Sequence, residues 1–277
     1  MRKAIGLNDN RIEEIIQTSE DTIDVISDST LPDSIDEMKE AFRLLYDTFL
    51  SSGFQKPDPS LMKISFHNLL PISFLIIVKK NGKVCGTLTV IQESDDRLPI
   101  NEIFNNEIGR IRKEDSFICE LSGLAVDTSL TNSESRTVLL SLFRKAFILG
   151  NDLLGCTDFC MMVNPRHCDY YQKEFNYEKI GQIRRYEKVN GAPAVPMRLN
   201  LIEGAELFKK SNPHLYKYFF VDDHQMIKER SFHEMCNQKK LYNIKYINSL
   251  VESKKDLLTN LTEEECEILC CYYPELR

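Results

Sequence analysis

The hydrophobic positions of this 277-residue chain change period several times, and each change marks an element. Met38, Ala41, Phe42, Leu45, Tyr46 and Phe49 recur at helical spacing, which predicts a helix over residues 35–54 stopped by Ser52-Gly53. A loop interrupted by Pro57 and Pro59 follows. The apolar run 74–78 then predicts a strand, Asn81-Gly82 a hairpin turn and residues 83–91 the return strand. Ile103, Phe104, Ile108 and Ile111 predict a helix over 100–111. Residues 116–126 predict a third strand, apolar almost throughout except Glu120 and Ser122. Thr131 and Glu134 have the spacing of a capping box. The helix they open turns Val138, Leu139, Leu142, Phe143 and Ala146 inward, with Gly150 as its expected stop. The run 159–163 predicts a buried strand. It breaks at Asn164-Pro165-Arg166-His167 and gives way to a short helix bearing Tyr170-Tyr171, which ends near Phe175-Asn176-Tyr177. Asn190-Gly191 predicts a last hairpin between 183–189 and 194–201. Beyond about residue 202 the pattern is helical and polar. This order predicts an α/β fold with a mixed sheet.

Three regions follow: an acidic leader over 1–35, expected to be loosely attached with Ile12, Ile15 and Ile16 on one short helix; a catalytic-sized core over 36–201; and a helical C-terminal extension over 202–277. The chain is 42% hydrophobic and 28% charged, enough to bury a substantial core. No apolar run approaches the roughly 18–20 residues of a membrane span. The basic start, Met1 to Gly6, meets Asn8-Asp9-Asn10 before any apolar stretch develops, so a cytoplasmic protein without a signal peptide is expected. The net charge of −7 argues against general nucleic-acid binding. The nine cysteines, odd in number and mostly in apolar contexts, predict reduced buried thiols.

Six segments, in order, carry a resemblance. They are Ala41-Phe42-Arg43-Leu44-Leu45-Tyr46; Gly86-Thr87-Leu88-Thr89; Leu98-Pro99 with Glu107 and Arg112; Cys119 to Val126; Asn164-Pro165-Arg166-His167; and Val189 to Val195. Together they resemble the N-acyl amino acid synthase family, a GNAT-like acyltransferase fold related to the homoserine-lactone synthases. The resemblance covers about residues 38–201. It implies a mixed central sheet flanked by helices, and transfer of a long acyl chain to the amine of a free amino acid. It implies acyl carrier protein as partner and its acyl-phosphopantetheine as donor, with no permanently bound cofactor. One departure from common GNAT enzymes fits this donor: residues 127–136, where those enzymes carry a glycine-rich diphosphate loop, contain no glycine. Hydroxyl-rich helix starts also bind anions, so acyl-coenzyme A stays open as the donor.

Amide formation from a thioester needs a neutral amine, a stabilised oxyanion and a protonated leaving thiolate. Glu120, in an apolar strand, is the candidate base, because desolvation raises a carboxyl group's pKa. The bland alternative is a glutamate paired with an arginine across the sheet. Ser122 shares its face by alternation. Tyr171, seven residues after Asn164, stands where GNAT enzymes carry the tyrosine facing the sulfur, and is the candidate acid; ordinary packing is its alternative. Asn164, Arg166 and His167 are candidate substrate contacts, the last two for a phosphate or a substrate carboxylate; so are Phe104 and Met161, which with Ile100 and residues 66–70 and 74–78 offer an apolar lining. Arg110, Arg112, Lys113, Arg144 and Lys145, with Arg166, are expected to form a basic docking face for the acidic carrier protein. Cys156, Cys160, His167 and Cys168, and separately Cys266, Cys270 and Cys271, lack paired zinc-ligand spacing, so no metal is expected. Three other functions share these signals: a coenzyme A-dependent N-acetyltransferase, a lactone-signal synthase using S-adenosylmethionine, and a non-catalytic lipid- or partner-binding module.

Overall fold

The computed structural model describes residues 26–94, 98–112 and 116–277. Helix α1 (Ile35–Ser51) starts at Ser34, whose side chain accepts from the Glu37 amide, and it buries Met38, Ala41, Phe42, Leu45 and Tyr46. Strands β1 (Ser73–Lys80) and β2 (Lys83–Gln92) pair antiparallel. The turn between them puts Asn81 and Gly82 at φ 52° and 79°, the left-handed pair a two-residue hairpin requires. Helix α2 (Asn101–Ile111) leads to β3 (Ile118–Val126), which pairs antiparallel with β2. The Thr131–Glu134 capping box forms as expected and starts α3 (Asn132–Phe147).

The expected stop at Gly150 is corrected. The chain passes through it in a wide turn, Ile148–Leu153, and Gly150 serves close packing. A Cβ there would lie 2.3 Å from the Phe159 ring, which is itself fully buried. Gly150→Ala is therefore expected to cost about 1–3 kcal/mol by overpacking, read as a lower midpoint in denaturant with an unchanged slope.

Strand β4 (Asp158–Val163), α4 (Cys168–Phe175), β5 (Glu178–Lys179), β6 (Arg184–Tyr186) and β7 (Ala192–Asn200) follow. The predicted strand 183–189 shortens to β6, because Glu187–Val189 makes a helical turn, while Asn190 and Gly191 adopt the expected left-handed turn. The sheet order is β1-β2-β3-β4-β7-β5, with β6 also on β7. β3 and β4 are parallel neighbours; the other pairs are antiparallel.

The C-terminal extension is helical, as expected: α5 (Leu201–Ser211), α6 (Pro213–Phe220), α7 (His224–Leu241), α8 (Ile244–Ser253) and α9 (Glu263–Tyr272). One face of the sheet packs on α3 to α7. The other packs on α1, α8 and α9 beside β1 and β2, and on α2 beside β3 and β4. The extension thus crosses from one face to the other around the β1 edge. In crossing, it satisfies that edge: Gln238 Nε2 donates to the Leu75 carbonyl and the Tyr242 hydroxyl to that of Ser73, both at 2.8 Å.

Residues 26–31 complete the same edge. Ser27 and Thr30 amides donate to the Lys79 and Ile77 carbonyls at 2.9 Å, and Ser29 is buried on Ser141. The expectation of a loosely attached leader is corrected for these residues, because an unpaired sheet edge is a strong template for a strand-like segment. The expected helix through Ile12, Ile15 and Ile16 lies outside the described residues. Among the described residues no helix is long and apolar enough to cross a membrane.

Candidate active site

β3 and β4 pair at only three positions, the last being Glu120 opposite Cys160. Two local features part them beyond it. The β2–β3 register slips between Thr87 and Thr89, and Gly123 sits at φ +62°, a bulge that bends β3. On β4, Pro165 ends the strand, and Asn164 caps the turn that follows by accepting from the Arg166 amide at 3.2 Å. The result is a wedge between two parallel strands at their carboxyl ends. There the backbone groups that β3 turns towards β4 have no strand partner.

Glu120 lies at the apex of the wedge with no exposed surface. One carboxyl oxygen, Oε2, accepts from the Ile100 amide at 2.7 Å; the other, Oε1, has no partner among the described residues. Burial pushes its pKa up to about 8, the Ile100 amide pulls against this, and the charge of Glu102 adds to the rise. The cross-sheet arginine of the bland alternative is not there among the described residues. Ser122, half-buried and opposite Thr89, keeps the same face as Glu120 because the bulge starts after it.

Tyr171 projects from α4 into the opposite face of the sheet. Burial, and then the neighbouring Tyr170, drive its pKa well above the ordinary phenol value. Its ring lies 6.1 Å from that of Tyr177. The Tyr177 hydroxyl is buried and has no partner among the described residues; its ionisation is opposed by burial first, then by Tyr171 and Cys160. Cys160 in turn is raised by burial and by Glu120. Cys160 and Tyr177 therefore link the two candidate residues through the apex. Neither was a sequence-based candidate. For Tyr177, the aromatic pair closing α4 was the available signal.

Asn164 also donates to the Pro193 carbonyl at 3.4 Å, tying the end of β4 to β7. Arg166 is exposed, lies over the Phe54 ring at 5.4 Å and donates from Nε to Nε2 of His167 at 2.9 Å. Burial of the ring first, and then the Arg166 charge, lower the His167 pKa.

Other expected groupings are not assembled. Ile100 and Phe104 pack under α2, Met161 lies on the opposite face of the sheet, and Phe66, Leu69 and Leu70 belong to the α1 side. They line no common channel, because strand alternation and the α2 crossover divide them. The docking face is likewise split: Arg110 and Arg112 end α2, while Arg144 and Lys145 lie on α3 across the sheet. Arg112 is engaged with Glu93 and Asn101, and Arg144 with the Asp222 carbonyl and the Tyr218 ring. Lys145 is fully buried against Ser231 and Glu234. Lys113 lies outside the described residues. The expectation that all cysteines are thiols is corrected for Cys119 and Cys156. They form a disulfide, because the β3–β4 pairing brings their Cα atoms to 6.2 Å. Among the described residues no group of three or more His, Cys, Asp or Glu side chains is placed to hold a metal ion.

The glycine-free turn before α3 is closed by its own side chains. Glu134 Oε2 accepts from the Thr131 amide at 2.9 Å, and Thr131 Oγ1 accepts from the Glu134 amide at 3.3 Å. Lys80 pairs with Glu134 and, as the largest cause, lowers its carboxyl pKa to about 2. A carboxylate thus takes the Thr131 amide at the start of α3.

Comparison with known proteins places this geometry. The model of the family described as N-acyl amino acid synthase FeeM matches residues 40–200. The solved structure of FeeM, an N-acyl amino acid synthase from uncultured soil microbes, superposes with a TM-score of 0.57 at 21% identity, over 65% of this chain and 93% of that one. The acyl-homoserine-lactone synthase LasI superposes at 0.51 and 14% identity, over 68% and 94%. BjaI, a coenzyme A-dependent acyl-homoserine lactone synthase solved with MTA, does so at 0.50 and 12%, over 68% and 83%. At these identities the likeness to solved structures is one of fold, the GNAT-like acyltransferase fold. No curated protein matches the chain.

Proposed function

The chain belongs to the N-acyl amino acid synthase FeeM family and is an acyltransferase; on that premise we propose that it moves a long acyl chain from an acyl carrier protein thioester to the amine of a free amino acid, by direct attack in a ternary complex. The observation that carries this is Glu120: a buried carboxyl group with one unpartnered oxygen and a pKa of about 8, at the point where two parallel strands part.

The acyl-phosphopantetheine arm enters the wedge between β3 and β4. Glu120 takes a proton from the acceptor's ammonium group. The neutral amine attacks the thioester carbonyl carbon and a C–N bond forms. Oxyanion charge develops beside the unpaired backbone groups of β3 past Glu120. The C–S bond then breaks, the sulfur takes its proton from the Tyr171 hydroxyl, and the second proton that the nitrogen sheds on becoming an amide restores that hydroxyl. The raised pKa of that phenol keeps it protonated at neutral pH. Asn164 holds the wedge open at β4, and Ser122 and Arg166 face arriving substrate. Acyl carrier protein is favoured over coenzyme A because the loop before α3 has no glycine and the Glu134 carboxylate, on the Thr131 amide, puts a negative charge at that helix start. Residues 36–201 form the catalytic unit in this reading, with 202–277 bracing the sheet from both faces.

Rates with matched long-chain acyl-carrier protein and acyl-coenzyme A test the donor. Turnover with the carrier protein is expected; turnover with coenzyme A thioesters alone contradicts the proposal. Tyr171→Phe is expected to lower kcat about 10²-fold and to leave the amine's KM nearly unchanged, because a thiolate with a thiol pKa near 8.5 is already a fair leaving group. An unchanged kcat would remove Tyr171 from the mechanism.

A further inference from the structure

Glu120 has no exposed surface, yet a base for an arriving amine must be reached. Part of its cover therefore has to move. Two elements meet over it on its side of the sheet. The first is the start of α2, where the Ile100 amide holds Glu120 Oε2 at 2.7 Å and where Ile100 and Phe104 are fully buried. The second is the β6–β7 hairpin. Its Tyr186 packs with Ile100, Phe104 and Cys160, and Cys160 stands opposite Glu120 in the sheet. The Tyr186 hydroxyl donates to Glu102 on the first turn of α2. Its ionisation is opposed by burial first, then by the charges of Glu102 and Glu120, and lastly by that of Glu265. Tyr186 thus lies within charge reach of the base on one side and of α9 on the other.

The hairpin is firm at its root and loose at its tip. At the root, Arg184 is clamped by both carboxyl oxygens of buried Glu107, at 3.0 and 2.6 Å. Beyond the Tyr186–Ala192 pair, residues 187–191 bury no side chain, and polar contacts hold them. The Lys188 carbonyl accepts from Lys63 Nζ at 3.2 Å, and Asn190 Nδ2 donates to the Gly53 carbonyl at 3.1 Å. Lys188 Nζ pairs with Glu102 Oε1 at 2.5 Å and with Glu265 Oε1 at 3.7 Å. Lys188 is half exposed, and ion pairs of this kind are weak and screened by salt. The tip is therefore the part of the cover that opens most easily. Glu265 is the fixed side of its latch. The other Glu265 oxygen accepts from the Thr262 amide at 2.9 Å in the capping box that starts α9. Just past α9, buried Tyr273 donates to the Leu69 carbonyl at 2.7 Å and docks the helix. α9 lies beyond residues 40–200, the span that the family model matches. The extension thus reaches back over the acyl-transfer core at a charged contact beside the base.

We propose that the hairpin tip, residues 186–191, is a gate over Glu120, latched by Lys188 to Glu102 of α2 and to Glu265 of α9, and that its opening admits the acceptor amine. This inference rests on the acyl-transfer reading above, and its test separates the two. The chain contains no tryptophan, so Tyr186→Trp places a lone fluorophore in the gate, and its quenching by acrylamide reads opening without turnover. Quenching is expected to rise about threefold from about 0.05 to about 0.5 M NaCl. With Lys188→Gln added, it is expected to stand at the high-salt value already in low salt. In turnover at about pH 9, where Glu120 is ionised, Lys188→Gln and Glu265→Gln are each expected to raise acceptor kcat/KM about twofold to fivefold, because a larger fraction of the enzyme is open. The donor KM is expected to hold, and glutamine at 265 keeps the α9 capping box. Loss of the Lys188 charge by itself would keep Glu120 protonated to higher pH and slow the reaction, which is the opposite sign. The proposal is overturned if quenching is the same at both salt concentrations and in both backgrounds, or if the two glutamine variants lower acceptor kcat/KM or leave it unchanged. Should Tyr186→Trp not fold, the turnover comparison decides alone. Quenching that rises with Lys188→Gln, with no N-acyl product from any donor, would uphold the gate and overturn the acyl-transfer reading.

Discussion

Glu120→Gln is expected to lower kcat/KM by about 10²–10⁴-fold, the usual worth of a positioned general base. The wild-type rate should rise tenfold per pH unit and level off above about pH 8, where the carboxyl group becomes ionised. The same substitution should reverse its effect on stability with pH. An unfolded glutamate releases its proton near 4.5, whereas folded Glu120 keeps it until about 8. Between those values the native state binds one proton more than the unfolded state, so wild-type stability falls as pH rises. At about 1.4 kcal/mol per unit the loss reaches the order of 5 kcal/mol by pH 8. The glutamine has no such dependence. It accepts from the Ile100 amide but leaves an amide N–H₂ where Oε1 had no partner, at about 1–3 kcal/mol. The two proteins should therefore be similar near pH 6, and the variant should be more stable by about 2 kcal/mol or more at pH 9. Thermal melts across this range check it; parallel curves would mean that Glu120 is ionised throughout.

The second large effect concerns the brace. Lys145 on α3 is fully buried, and its ammonium meets Ser231 at 3.0 Å and Glu234 at 2.9 Å on α7. Glu234 also accepts from the Leu31 amide, and Arg230 joins it to Asp28. Three separate chain segments thus meet at one carboxylate. Glu234→Gln leaves the lysine charge uncompensated, and a cost of about 3 kcal/mol is expected, the lower end of the range because Glu234 keeps some exposure. Burial already lowers the Lys145 pKa, so in the variant the native state sheds its proton earlier than the unfolded state, and stability recovers as pH rises. The pairing of Lys145→Met with Glu234→Leu should restore most of the loss. Denaturant unfolding should remain a single transition throughout. If instead the extension unfolds by itself in the wild type, the network does not unite these segments.

Much of the fold was legible because period and turn chemistry are local. Asn81-Gly82, Asn190-Gly191 and the Thr131–Glu134 box each specify a backbone conformation within four residues, and each forms. Glu120 was legible for a similar reason: a lone carboxylate in an apolar strand keeps its face whatever the partners are. What failed depended on distant segments. Arg144 and Lys145 look like surface charges until α6 and α7 cover them. Ile100, Phe104 and Met161 look like one lining until the sheet separates them. Residues 26–31 look like a polar leader until the open edge of β1 recruits them. Gly150 reads as a helix stop, whereas its role comes from Phe159, a contact that only the fold creates.

The most direct measurement of the central claim is product mass. Wild-type protein and Glu120→Gln, incubated side by side with long-chain acyl-carrier protein and the mixed free amino acids, are analysed by mass spectrometry for both the lipid product and the carrier. The account predicts an N-acyl amino acid and carrier protein with a free thiol from the wild type, and a strongly reduced yield from the variant. Wild-type protein that forms no N-acyl amino acid, or equal yields from the two proteins, would contradict it.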